Sequence, residues 1–227
     1  MTTVPPVTLI PAPDNGVWRL GWVYDPLRYN RVEPETFSGS AAGRFSLFSY
    51  GMLYCASDPT GCLAETLAGF RIHPEVRALM SDAEASSDLM GIGQLPSSWR
   101  EERILVRLEP APDARFLDVD SESTRKVLAD ALHSEFSKWN VTGALTDDHI
   151  HGKDRRIARQ IAAWAVAQRN EAGHQLVQGI AYRSGYGGRQ CWAILHDTEL
   201  QEVERRAIQV EDPELHEVAR EYGLTVR

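Results

Sequence analysis

The chain has few lysines, few cysteines and no long apolar run. Of its 24 basic residues only three are lysines, Lys126, Lys138 and Lys153, and 32 acidic residues bring the net charge to −8. A general nucleic-acid binder needs a basic face to displace counterions from phosphates, so we do not expect one, nor binding to an anionic membrane. Nowhere do about 18 apolar residues follow one another, and the first residues contain no basic region. We therefore expect a cytoplasmic protein with no membrane span.

The three cysteines, Cys55, Cys62 and Cys191, are odd in number and lack Cys-x-x-Cys spacing. Neither a disulfide framework nor a zinc knuckle is indicated, and we expect reduced, buried thiols. The stretch DDHIHGKD (147–154) holds metal-ligand residue types without the HExxH pattern. It precedes the clearest predicted helix, where acidic residues favour the N-terminus. We therefore predict a helix cap there and no metal site.

The composition is that of a folded globular protein. The 227 residues are 43% hydrophobic and 25% charged, which suits one large domain or two small ones. Because predicted helices and strands mix without strict alternation, we predict a single compact α+β domain. Its expected parts are an extended, proline-rich arm over 1–16, a main domain over 17–198 and a helical C-terminal extension over 199–227, packed on that domain.

Periodicity and turn signals locate the elements. Two surface excursions are expected, within 25–49 and 81–99, and GYGG (185–188) is expected to be a hairpin turn rather than a phosphate cradle. The predicted strands cover 17–24, 51–57, 103–110, 115–119, 178–184 and 190–197, and the predicted helices cover 59–68, 120–136, 153–169 and one or two segments of 199–222.

The helix over 59–68 carries a carboxylate of special interest. Asp58-Pro59 supplies an N-cap and a first-turn proline. Leu63 and Leu67 form its apolar stripe, and Glu65 lies about 200° around the helix from Leu63. Glu65 is therefore predicted to point away from the core. By itself such a residue is most simply a solvated helix carboxylate.

Five short motifs occur in a particular order along most of the chain. They are Gly43-Arg44-Phe45, Leu53-Tyr54, Ala64-Glu65-Thr66, Leu117-Asp118 and Gly179-Ile180-Ala181-Tyr182-Arg183-Ser184. No single motif is specific, but the ordered set resembles the RES domain, a family named for its Arg, Glu and Ser.

The resemblance implies a fold like that of ADP-ribosyltransferases, with a split, mostly antiparallel sheet. It implies an enzyme that degrades NAD⁺ by hydrolysis or phosphorolysis of the nicotinamide–ribose bond, as the toxin of a type II toxin–antitoxin system. No bound cofactor is implied: NAD⁺ is the substrate and inorganic phosphate a candidate co-substrate. An Xre-like antitoxin is the implied partner, and whether the protein forms a homo-oligomer stays open.

The residue types suit this chemistry. The implied catalytic residues are Arg44, Glu65 and Ser184, and the implied NAD⁺-binding residues are Arg44, Phe45, Tyr54 and Ser184. A fixed carboxylate such as Glu65 stabilises positive charge on the ribose, while the planar guanidinium of Arg44 suits phosphates. Arg19 is a second candidate for phosphate. Phe45 and Tyr54 offer aromatic walls for nicotinamide, and Ser184 offers a hydroxyl for positioning substrate or acceptor.

Two alternatives stay open. Some RES proteins transfer ADP-ribose to a protein, so this chain could be a mono-ADP-ribosyltransferase. The second alternative is a catalytically inactive binding module. It is kept because Phe45-Ser46 and Gly185 depart from residues common in the family.

Overall fold

Eight β-strands form the central sheet of the computed structural model, which describes residues 6–32, 43–48, 50–72, 75 and 93–227. The sheet order is β1-β6-β7-β8-β3-β2-β5-β9, and β4 and β10 pair separately. The strands are β1 (Leu9–Ile10), β2 (Val17–Trp22), β3 (Met52–Ala56), β4 (Gln94–Leu95), β5 (Arg103–Pro110), β6 (Phe116–Asp118), β7 (Gly179–Arg183), β8 (Gln190–Leu195), β9 (Leu200–Ala207) and β10 (Thr225–Val226).

Strand pairing brings distant parts of the chain together. Within the large sheet the pairs are antiparallel except β6 with β7. The central pair β3–β8 places Tyr54 opposite Ala193 and Ala56 opposite Cys191. The predicted single α+β domain with a mostly antiparallel sheet is confirmed, and the sheet is curled.

Seven α-helices lie in the described part of the chain. They are α1 (Pro59–Leu67), α2 (Ser97–Glu101), α3 (Glu122–Ala131), α4 (His133–Ser137), α5 (Asp147–His151), α6 (Arg156–Ala167) and α7 (Pro213–Tyr222). None of the helices in these ranges is long and apolar enough to cross a bilayer.

The core divides between the two faces of the sheet because side chains alternate along each strand. In β3, Met52 and Ala56 belong to the larger cluster, whereas Leu53 and Cys55 belong to the smaller one. The larger cluster includes the inward residues of α1, α6 and α7. Trp192 is buried in the smaller cluster, and Trp164 packs partly buried against the larger one.

The segment 199–222 differs from the expected helices. Residues Leu200–Ala207 form β9, which pairs with β5 at the sheet edge, and only Pro213–Tyr222 is helical. LQEVERRA is rich in good helix formers, but pairing with a distant strand decides its conformation. The charged, exposed side chains of β9 suit an edge strand.

Three other expectations change in detail. The predicted helix over 120–136 breaks at Leu132 into α3 and α4. Within the predicted N-terminal arm, Leu9–Ile10 pairs with β6, so the sheet begins before residue 17. Residues 1–5, 33–42, 49 and 81–92 of the predicted arm and excursions lie outside the described residues, while 94–101 contain β4 and α2.

Candidate active site

A cleft of about 1380 Å³ runs along the described surface between α1, β7 and the segment 148–159. Seven arginine and lysine side chains line it, against the three carboxylates of Glu65, Asp148 and Asp154. Four of these cations lie within 153–159, and the others are Arg19, Arg44 and Arg183. An acidic chain therefore has a locally basic cleft, which favours an anionic ligand.

Helix α1 presents Glu65 to this cleft. Asp58 caps the helix by accepting a hydrogen bond from the N–H of Gly61 at 2.7 Å, and Pro59 occupies the first turn. Leu63 and Leu67 are fully buried, whereas Glu65 is exposed and lines the cleft. The predicted helix and the predicted direction of its carboxylate are both confirmed.

Tyr54 lines the cleft and also anchors the turn that carries Arg44. Its hydroxyl accepts a hydrogen bond from the N–H of Phe45 at 2.8 Å and lies 3.1 Å from the hydroxyl of Ser46. Burial raises the pKa of Tyr54 to about 12, so its phenol is neutral at physiological pH. A side chain at Gly43 would overlap the Tyr54 ring, which explains the glycine before Arg44.

Arg44 lies in the cleft and is tied to the end of α5. Its Nη1 donates to the carbonyl oxygens of Ile150 at 3.1 Å and Gly152 at 2.7 Å. Burial and the nearby charge of Arg155 lower the pKa of Arg44, while Glu65 is close enough to oppose this shift. Arg44, Tyr54 and Glu65, predicted from separate motifs, therefore share one cleft.

Phe45 and Ser184 lie behind the cleft wall. Phe45 is fully buried, with its ring 5.1 Å from that of Tyr182, which lines the cleft. The hydroxyl of Ser184 accepts a hydrogen bond from the N–H of Tyr186 at 2.9 Å and so shapes the predicted β7–β8 turn. Their contact with substrate stays a prediction, and in the structure each supports a residue of the wall.

Comparison with protein families gives a match over most of the chain. The profile of the RES domain matches residues 16–216. The chain belongs to the RES-domain family. This family is known in NAD⁺-related toxin–antitoxin contexts, which indicates an NAD⁺-related enzymatic role at a coarse level. Comparisons with curated proteins and with solved structures gave no match.

This RES domain also contains a partly buried ionic network beside the cleft that the sequence did not reveal. His151 lines the cleft, and its Nε2 lies 2.7 Å from Oδ1 of Asp120. Arg125 bridges Asp120 at 3.1 Å and Asp147 at 2.6 Å. The ligand atoms of Asp120, Asp147 and His151 lie within 4.8 Å of one another, but Arg125 already forms ion pairs with both carboxylates.

The stretch 147–154 does more than cap the long helix, although Asp154 accepts a hydrogen bond from the N–H of Arg156, the first residue of α6, at 3.0 Å. It forms its own short helix, α5, which begins with a capping box between Thr146 and His149. His151, Gly152, Lys153 and Asp154 then line the cleft of the RES domain. The run of His and Asp in DDHIHGKD was the only signal in the sequence that could have pointed to this wall.

Proposed function

We propose that this RES-domain protein degrades NAD⁺ by cleaving the nicotinamide–ribose bond, with water or inorganic phosphate as the acceptor of ADP-ribose. The observation that carries the proposal is the exposed carboxylate of Glu65 in a cleft whose charged side chains are mainly cationic. A cationic cleft suits the pyrophosphate of a dinucleotide, and a carboxylate beside the cations suits a reaction centre that becomes positive.

Glu65 would act on the ribose. When the bond breaks, its electron pair leaves with the nicotinamide nitrogen, which becomes neutral, and the ribose acquires oxocarbenium character. A carboxylate held near that carbon stabilises the developing charge more strongly than it stabilises the ground state. The Sγ atom of Cys191 lies 3.9 Å from Oε1 of this carboxylate.

The cations would hold the phosphates. Arg44 is fixed by two carbonyl oxygens, so its guanidinium is already ordered before ligand binds. Arg19 is held in the same way by the carbonyl oxygen of Tyr54 at 3.0 Å and also lines the cleft. Such prior ordering lowers the entropy cost of binding a flexible dinucleotide.

The test is nicotinamide release by purified protein, with and without phosphate. Glu65→Gln keeps the shape of the side chain and removes its charge, so we expect NAD⁺ still to bind while the rate falls by about 10²–10³. Glu122→Gln, an exposed position in the first turn of α3, is the matched control and should retain the parent rate. A parent protein that leaves NAD⁺ intact with both acceptors, or a Glu65→Gln variant as fast as the parent, contradicts the proposal.

The products identify the acceptor. Free ADP-ribose indicates hydrolysis, ADP-ribose 1″-phosphate indicates phosphorolysis, and label from NAD⁺ on a protein band indicates protein transfer. NAD⁺ binding without turnover would instead support a binding module.

The toxin role, with an Xre-like antitoxin that blocks the cleft, belongs to the same proposal. Growth arrest on expression, relieved by Glu65→Gln, would support it.

A further inference from the structure

His151 is held in place by a carboxylate that is itself fixed by several contacts. Its Nε2 lies 2.7 Å from Asp120, a residue 31 positions earlier in the chain. Asp120 is itself held: its Oδ2 accepts a hydrogen bond from the N–H of Arg183 at 2.6 Å, and its Oδ1 pairs with Arg125 at 3.1 Å. Asp120, the partner of the His151 imidazole, lies in the loop before α3 and is therefore held by contacts from both α3 and β7.

The state of Asp120 sets the tautomer of His151. Burial opposes ionisation of Asp120, but hydrogen bonds from His151 and the Arg183 N–H, with the charge of Arg125, bring its pKa below the ordinary value. An ionised carboxylate only accepts hydrogen bonds, so Nε2 of His151 donates to it. In the neutral imidazole the remaining nitrogen, Nδ1, is then the one able to accept a proton.

The backbone around His151 is fixed by the proposed substrate clamp. Arg44 donates to the carbonyl oxygens of Ile150 and Gly152, the residues on either side of His151. His151 and Glu65 line the same cleft, and Arg44 interacts electrostatically with Glu65. The imidazole is thus coupled to the proposed reaction centre through a single arginine.

We propose that His151, oriented by Asp120, is the general base that takes a proton from the water attacking the ribose of NAD⁺. This inference rests on the proposed function. The water oxygen bonds to the ribose carbon as the carbon–nitrogen bond breaks, and that electron pair leaves on nicotinamide. The water proton passes to Nδ1 of His151 and then to solvent, which balances NAD⁺ and water against ADP-ribose, nicotinamide and one proton.

The proposal predicts that loss of His151 affects the two acceptors, water and phosphate, differently. Water must lose a proton to become a good nucleophile, whereas the phosphate dianion has no proton to lose at its attacking oxygen. Removing the base should therefore slow hydrolysis much more than phosphorolysis. A residue that merely supported the cleft would slow both reactions alike.

Several charged groups lie on the elements around His151 and belong to the interpretation of the pH dependence of hydrolysis. They are Asp120 before α3, Arg125 on α3, Arg183 on β7, Arg44, and Asp147, Asp148 and Lys153 on its own stretch. Because the neutral imidazole is the active form of a base, hydrolysis should fall on the acid side of one ionisation, and that limb should depend on His151.

The experiment compares hydrolysis and phosphorolysis of NAD⁺ by the parent and by His151→Gln across pH. We expect His151→Gln to lose about 10²–10⁴ in hydrolysis rate and to lose the acid limb, with NAD⁺ affinity and phosphorolysis much less affected. Asp120→Asn keeps the imidazole but replaces a carboxylate that only accepts by an amide that can also donate, so the tautomer of His151 is no longer fixed. This variant should slow hydrolysis selectively as well. His133→Gln, exposed on α4 outside the cleft, is the matched control.

The outcomes separate the inference from the proposed function. A parent inert toward NAD⁺ overturns the proposed function and this inference with it. Hydrolysis by His151→Gln at the parent rate with the acid limb intact, or a parent that uses phosphate and never water, overturns the inference alone. Equal loss of both reactions in a variant that melts like the parent also overturns it. If His151→Gln has a lower Tm than the parent, the Asp120→Asn variant and its ratio of ADP-ribose to ADP-ribose 1″-phosphate test the inference instead.

Discussion

The contact between Gly43 and Tyr54 gives a sharp test of how the cleft is built. A Cβ at position 43 would lie closer to the Tyr54 ring than the 3.0 Å that real Cβ atoms keep. The ring cannot easily move away, because its hydroxyl holds the N–H of Phe45 and contacts Ser46. Gly43→Ala should therefore displace the turn that carries Arg44.

The cost of Gly43→Ala follows from the contacts it disturbs. Overpacking a filled site costs about 1–3 kcal/mol. Loosening a buried hydrogen bond of the Tyr54 hydroxyl adds about 1 kcal/mol. We expect the free energy of unfolding to fall by about 2–4 kcal/mol, which for a chain of this size lowers the Tm by about 4–16 °C. The rate of nicotinamide release should fall by more than the loss of folded protein accounts for, because Arg44 moves with the turn.

The assay is thermal and urea unfolding together with nicotinamide release. Gly69→Ala is the control, since a Cβ there meets no atom within 4 Å and should change the free energy of unfolding by less than about 0.5 kcal/mol. In a Tyr54→Ala background the clash partner is gone, so Gly43→Ala should cost much less than in the parent. Equal cost in both backgrounds, or a Gly43→Ala protein that melts and reacts like the parent, would refute this account of the turn.

Two further predictions concern ionisation. The pKa of Asp120 is lowered from 3.8, so its contribution to stability is present above that pH and is lost as the pH falls through the folded-state value; Asp120→Asn should flatten the acid side of a plot of Tm against pH. Burial raises the pKa of all three thiols, that of Cys55 to about 12. Iodoacetamide at pH 8 should therefore label Cys55, Cys62 and Cys191 slowly in the native protein and rapidly in urea, and rapid native labelling would contradict their burial.

Local sequence patterns were sufficient to predict helix α1 and the family. Asp58-Pro59 and the Leu63–Leu67 spacing define α1 within ten residues, and they also set the direction of Glu65. The order of the motifs indicated the family over most of the chain. Both kinds of information are readable along the sequence without knowing which segments meet in space.

Long-range contacts account for what the sequence did not show. β9 has a helix-forming composition and becomes a strand because β5 offers it an edge. The pair of His151 and Asp120 joins residues from separate helices and loops, and no spacing rule links them. Motif order also did not reveal that Phe45 turns into the core, because burial at that position depends on Tyr182, which is far away in the chain.

The sheet order also determines when during synthesis the cleft can form. Strand β3, which carries Tyr54, hydrogen-bonds to β8, and Met52 pairs with Leu195. This part of the sheet can therefore form only after Leu195 has been synthesised. Such distant pairings raise the contact order and slow folding. A nascent chain released from the ribosome before residue 190 would lack the strand beside β3 and with it Cys191, the neighbour of Glu65. Under the proposed function, incomplete chains would then lack a complete cleft and would be inactive toward NAD⁺.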